Sequence, residues 1–202
     1  PELQTAFNLI LPHTDRYGHT VVTQTMSLLD LSLRGTSMER YQRMGFYLLH
    51  RALREPGAQT NGIALLIDFT GFKFGRLLRH VRLSDMRRGV HMMQECSPAH
   101  LNVLYIVNPP KWIETLLGMI RPFLRRDTLQ KKLFLLDRAE LSNHFASKQL
   151  VSQFGGAIAF DWHAQLERWD ADETARGLDF DVSGFLQEDN DDSIQLVRGR
   201  VA

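Results

Sequence analysis

Gly62-Ile-Ala-Leu-Leu-Ile-Asp68-Phe-Thr-Gly71 is the stretch that decides the fold. Its apolar run does not alternate with polar residues, and it stops at an acid and a glycine turn. A strand buried on both faces has that composition, as in a parallel sheet covered by helices. A second such run, Leu101-Asn-Val-Leu-Tyr-Ile-Val107, ends at Asn108-Pro109-Pro110. Between them, Ser84 to Cys96 carries a helical pattern with Ser84 in the capping position. Strand, helix and parallel strand form a βαβ unit, whose crossover is right-handed.

The flanks extend this architecture. Val21 to Leu29 is β-rich and follows the turn Asp15-Arg16-Tyr17-Gly18-His19. Thr36-x-x-Glu39 has capping-box form, and Tyr41, Met44, Leu48 and Leu49 keep a helical period toward Glu55, where Pro56-Gly57 ends the helix. After Pro110, Ile113, Leu116, Leu117, Ile120 and Leu124 recur at three- and four-residue steps, an amphipathic helix. Lys132–Leu136 reads as a third short strand and Ala157–Phe160, after Gly155-Gly156, as a fourth. The expected class is α/β with a mostly parallel sheet.

Composition narrows the function. The 202 residues are 44% hydrophobic and 23% charged, as in an ordinary globular chain. The longest aliphatic run, Ile63–Ile67, falls far short of the ~18 apolar residues of a membrane span. Cys96 is the sole cysteine and has no internal disulfide partner, so nothing points to an oxidising compartment. A chain that starts at Pro1 with no charged-then-apolar leader is expected to be a piece of a longer cytoplasmic protein.

The net charge of +1 conceals a division. Residues 1–169 carry 21 Lys/Arg against 14 Asp/Glu, a balance of +7, and residues 170–202 carry 3 Arg against 9 Asp/Glu, a balance of −6. A +7 excess is modest for a nucleic-acid binder and suits a surface that meets anionic lipid headgroups. The run Glu188-Asp189-Asn190-Asp191-Asp192 reads as a solvated tail. Arg76, Arg79, Arg82, Arg87 and Arg88 crowd one stretch. Lys111, Arg121, Arg125, Arg126, Lys131 and Lys132 surround the amphipathic helix, and a cationic segment with an apolar face can lie on an anionic bilayer. A solvated basic face over a packed helix accounts for the same pattern.

Catalytic patterns are lacking. Gly71-Phe-Lys-Phe-Gly75 fits neither phosphate-loop spacing, and its phenylalanines would crowd a phosphate. The histidine spacings match no metal motif, so no metal is expected. No G-x-S-x-G elbow occurs, and Cys96 has no sequence partner to activate it. Asp68, closing a buried strand, is expected to accept hydrogen bonds from loop amides. An enzyme is not expected.

From Gly62 onward the chain resembles the CRAL-TRIO lipid-binding domain family, which includes the yeast phosphatidylinositol-transfer protein and the retinal- and tocopherol-carrying proteins. The resemblance rests on Gly62–Gly71, Leu104-Tyr-Ile-Val-Asn108-Pro-Pro110, Ile120-Arg-Pro122-Phe-Leu124, Thr128-Leu-Gln-Lys131-Lys-Leu133 and Phe154-Gly155-Gly156, in order and in register over residues 13–163. The turn Asp15–His19 is similar to the one before the family's first strand. Residues 1–12 would then be a remnant leading segment and 164–202 an acidic tail or linker.

The resemblance implies a sheet floor and flanking helices around an apolar pocket for one lipid, with Pro110–Arg126 as a gate helix. Pocket and gate would comprise Ile63, Leu65, Leu104 and Ile106 on strands, and Trp112, Ile113, Leu116, Leu117, Ile120, Phe123 and Leu124 on the gate. Lys111, Arg121, Arg125 and Arg126 would face the membrane. Phosphoinositide-handling members hold the headgroup phosphate with a Thr and a Lys, matched by Thr128 and Lys131. A neighbouring Glu of those members falls at Ala99. The hydroxyl residues linked to phosphatidylcholine fall at Ile63 and Leu65, so exchange of that lipid is not implied. The implied ligand is a phosphoinositide or another anionic phospholipid, with no cofactor besides.

Other members sit beside a tyrosine phosphatase or Rho-family regulatory domain. Tyr47-Leu-Leu-His50 with Asn61-Gly62 looks like the first kind, and Leu104–Leu124 like a relative that binds protein partners. The alternative function is therefore a protein-interaction module of the same fold, binding a small GTPase or self-associating, with a vestigial pocket.

Overall fold

The structure, a computed structural model, describes residues 6–29, 37–72, 75, 83–91, 100–123 and 132–177. The chain divides into two compact units, Pro1–Trp162 and His163–Ala202. In the first, strands Asn8–Ile10 (β1), Thr20–Thr25 (β2), Ile63–Asp68 (β3), Leu101–Val107 (β4) and Leu133–Leu136 (β5) form one sheet, ordered as in sequence. β1 is antiparallel to β2, and all other neighbours are parallel. The mixed α/β class and mostly parallel sheet expected from the two apolar runs are present.

The sheet begins earlier than the sequence suggests. β1 lies within the segment read as a leading remnant, and its Leu9 and Ile10 are buried. It is three residues long and does not alternate, so no periodicity marks it. β2 stops at Thr25, where a 3-10 turn over Met26–Leu28 replaces the expected strand continuation. Ala157–Phe160 makes no strand; Ile158 forms only an isolated parallel bridge with Val151.

Helix α1 covers Met38–Ala52 and buries Tyr41, Met44 and Leu48 along one stripe. Its cap is Ser37 instead of Thr36: the Ser37 hydroxyl accepts from the Arg40 N–H at 3.2 Å. Pro56 does not end a helix but starts one, at the first position of α2 (Pro56–Asn61), where its missing N–H costs nothing. Helix α3 is described over Leu83–His91, and Ser84 lies within the helix and not at its cap. Helix α4 covers Ile113–Ile120. Helix α5, Trp162–Ala175, is followed by Arg176, which pairs with Asp172 at 2.8 Å.

Strand alternation sorts the core into two layers. On one face, Val21, Ala64, Leu66, Tyr105, Val107 and Leu136 pack with Leu141, Phe145, Leu150, Val151 and Phe154. On the other, Ile67, Leu104, Ile106 and Leu133 pack beneath α4. Two glycines make the close approaches possible. Gly62, at φ 82°, would place a Cβ 2.8 Å from the His100 carbonyl oxygen, and a Cβ on Gly156 would overlap the Leu150 carbonyl.

Candidate functional site

The apolar layer under α4 is built from its sequence period. Ile113, Leu116 and Leu117 are buried toward the sheet, with Ile120 half-buried one turn on, while Glu114, Thr115, Gly118 and Met119 face outward. The helix leaves β4 through Asn108-Pro109-Pro110, and Asn108 takes the left-handed conformation at φ 49°. At its entrance the Trp112 ring meets Phe69 edge-on at 5.6 Å and Phe72 at 6.2 Å. At its exit a 3-10 turn, Arg121–Phe123, carries Phe123 under the Arg87 guanidinium, 5.1 Å from the ring centroid.

A polar node sits at the carboxyl ends of β3, β4 and β5, where loops of open α/β sheets assemble binding sites. Asp68 is buried and accepts from the Thr70 amide at 2.8 Å and the Thr70 hydroxyl at 2.5 Å, and its other oxygen lies 3.4 Å from the Arg138 guanidinium. Asn108 bridges the same ends: its amide donates to Thr70 Oγ1 at 2.7 Å and its carbonyl accepts from the Arg138 N–H at 3.2 Å. Asp68 thus has the amide-accepting role expected of it. Asn108 and Arg138 escaped the sequence reading, although the N-P-P step marked the turn.

A second buried node lies on the opposite face. Asp15 accepts from the backbone N–H of Tyr17 and of His19, both at 2.9 Å, and meets His19 Nδ1 at 2.8 Å. The Tyr105 hydroxyl donates to the same carboxylate, and burial together with that charge pushes its phenol far above the usual range. The His144 ring lies tilted against Tyr105 and Phe134, and burial lowers its pKa below the usual 6.5. This node braces the turn before β2.

The residues singled out from sequence are distributed unevenly. Leu104, Ile106, Trp112, Ile113, Leu116, Leu117 and Ile120 come together in the layer under α4. Ile63 and Leu65 lie on the same sheet face and are buried, yet they do not belong to that cluster. Phe123 is half-buried against α3, and Lys111 is exposed beside the start of α4. Thr128, Lys131, Leu124, Arg125, Arg126 and the Arg121 side chain lie outside the described residues, as does the acidic run 188–192. Among the described residues, no cluster of three or more His, Cys, Asp or Glu could hold a metal, and no helix is long and apolar enough to cross a membrane.

Known proteins carry the same pattern. Clavesin-2 of Homo sapiens is 29% identical over 150 residues, 73% of this chain and 45% of that protein. Clavesin-1 of Xenopus laevis is 28% identical over 158 residues, 77% of this chain and 46% of its own length. The chain thus spans about half the length of the curated relatives it matches. The crystal structure of Sfh5 shares the fold, with a TM-score of 0.57 at 17% identity over 85% of this chain and 66% of that one. A family model, the CRAL/TRIO domain, matches residues 5–156. All five strands, α4 and the Gly155-Gly156 turn fall within that match, and the chain belongs to the CRAL-TRIO family of lipid-binding proteins.

Proposed function

We propose that the chain is a non-catalytic module that binds one phospholipid, a phosphoinositide or another anionic species, and exchanges it at cytosolic membrane surfaces. One observation carries the reading: a single apolar layer lies between the sheet and α4, a helix joined to the sheet through two consecutive prolines. Displacing so short a helix would open that layer without breaking the sheet. Thr128 and Lys131 form the headgroup pair in this reading, and Lys111, Arg121, Arg125 and Arg126 meet the membrane. Solvent extraction of purified protein followed by mass spectrometry tests it. About one amphiphile per chain is expected, and a chain that neither carries lipid nor takes it up from vesicles overturns the reading.

A protein-contact reading is favoured by the edge strand. Phe134 and Leu135 on β5, the last strand of the sheet among the described residues, are 36% and 38% exposed. Apolar side chains left open on an edge strand invite contact with another chain. Self-association at micromolar concentration, measured by light scattering and abolished by Leu135→Lys, would support it.

A further inference from the structure

Helix α4 is held at both ends by aromatic contacts, and the two ends differ in kind. Its entrance is apolar, with Trp112 set against Phe69 and Phe72. Its exit is held by a charge, the Arg87 guanidinium over the Phe123 ring. Arg87 stands on α3, which is tied to α1 by the Gln42 side-chain amide donating to the Asp85 carbonyl at 3.1 Å. The contact therefore joins a helix anchored to the body of the domain to the one that follows β4 through Pro109-Pro110.

The chemistry of this contact makes it exchangeable. Arg87 is exposed, and among the described residues no carboxylate pairs with it. A guanidinium on a ring face is held by the ring quadrupole, which leaves its in-plane N–H donors unspent. A phosphate accepts two of those donors at once in a charge-assisted pair, roughly twice as strong as a neutral hydrogen bond. A ring and a headgroup phosphate thus compete for one cation. When phosphate wins, Phe123 loses its cover and the exit of α4 is released.

We propose that Arg87 determines which membranes open the domain: its guanidinium holds the exit of α4 through Phe123 in solution and exchanges the ring for a phosphate at an anionic surface. This rests on the lipid-exchange reading above. Arg88, also exposed and adjacent, has no ring partner among the described residues and serves as a control carrying the same charge.

The test compares uptake of a fluorescent phospholipid from two vesicle preparations. In pure phosphatidylcholine, each phosphate is covered by its own choline cation. In phosphatidylcholine with roughly one-fifth phosphatidylserine, the net negative surface leaves phosphates open to a guanidinium. Vesicle co-sedimentation, measured alongside, separates attachment from opening. Arg87→Gln should take up lipid from neutral vesicles about two- to fivefold faster than wild type, the population shift a contact of this exposure can supply. Its acceleration by phosphatidylserine should shrink by the same factor. Phe123→Leu should reproduce the faster neutral uptake with Arg87 intact, and the double variant should add nothing further, because both changes remove one contact. Arg88→Gln should lower co-sedimentation as much as Arg87→Gln while leaving the neutral rate unchanged. Neutral-vesicle uptake by Arg87→Gln that matches or lags wild type overturns the proposal and leaves lipid exchange standing. Additive effects of the two substitutions, or equal acceleration by Arg88→Gln, overturn it as well. A wild-type chain that takes up lipid from neither preparation overturns the exchange reading, and this proposal with it.

Discussion

The Tyr105 hydroxyl donates a 3.1 Å hydrogen bond to the Asp15 carboxylate, joining the turn before β2 to the middle of β4 across 90 residues of sequence. Asp15 is 1% exposed and Tyr105 is fully buried. A carboxylate that far from water depends on its donors, and this one draws on the sheet as well as on its own turn. The β1–β2 connection is thereby tied to β4 across the intervening β3.

Tyr105→Phe should therefore destabilise the domain by about 1–3 kcal/mol, the cost of leaving a buried acceptor short of a partner. Chemical denaturation should show a lower midpoint with an unchanged slope. Lipid uptake should stay as in wild type, because Tyr105 lies on the face opposite α4.

Acid should weaken the fold through His144. Desolvation by burial is the largest influence on its ring and lowers its pKa; the charges of Asp15 and Glu140 pull the other way, and Arg16 reinforces the lowering. The unfolded chain then binds a proton at a higher pH than the folded one, so stability falls as pH drops through the ordinary histidine value of 6.5 and below. Its Nδ1 is buried with no hydrogen-bond partner among the described residues, which agrees with a neutral ring. His144→Phe should flatten the pH dependence of the melting temperature in that window, and an unchanged slope would refute the assignment.

Met119 offers a separate check on the outer face of α4. It is 41% exposed beside buried Leu116 and Leu117, so its side chain contributes little to the core. Met119→Glu should change stability by no more than about 0.5 kcal/mol. On a surface apposed to anionic lipid, the same charge should weaken vesicle attachment measured by co-sedimentation. Leu116→Glu would instead place a charge in the apolar layer and should lower the melting temperature.

What was legible in the sequence follows from what each residue has to do locally. Ile63–Asp68 and Leu101–Val107 announce themselves because parallel strands are buried on both faces, and an apolar run has few other uses. The stripe Ile113, Leu116, Leu117, Ile120 is legible for the related reason that one helix face meets the sheet. β1 was not, since three residues carry no period and their burial is set by a partner strand in antiparallel register, Asn8 opposite Gln24. The cap at Ser37 was missed because Thr36 and Ser37 are chemically equivalent capping residues, and only backbone geometry separates them. The polar nodes were out of reach for a different reason. Asn108 meets Thr70 and Arg138, and Asp15 meets Tyr105, only after the strands align.

Salt and headgroup together test the remaining site. A balance of +7 on residues 1–169 acts on a membrane through screened solvent, so attachment to anionic vesicles should fall steeply between low and physiological ionic strength. In the proposed headgroup role Lys131 has a narrower task, since an ammonium and the Thr128 hydroxyl can both supply charge-assisted hydrogen bonds to one phosphate. Such a bond to a shielded phosphate contributes roughly 1.5–3 kcal/mol, which is about ten- to a hundredfold in affinity. Lys131→Ala should therefore weaken phosphoinositide binding by about that factor with the melting temperature nearly unchanged. Lys148→Ala removes an exposed cation from the 3-10 turn Ser147–Gln149 and should reduce only the salt-sensitive attachment. Titration of both variants with phosphoinositide-containing vesicles at two salt concentrations separates the two roles. Equal, small losses from both would leave the apolar layer under α4 as the whole of the proposed lipid site.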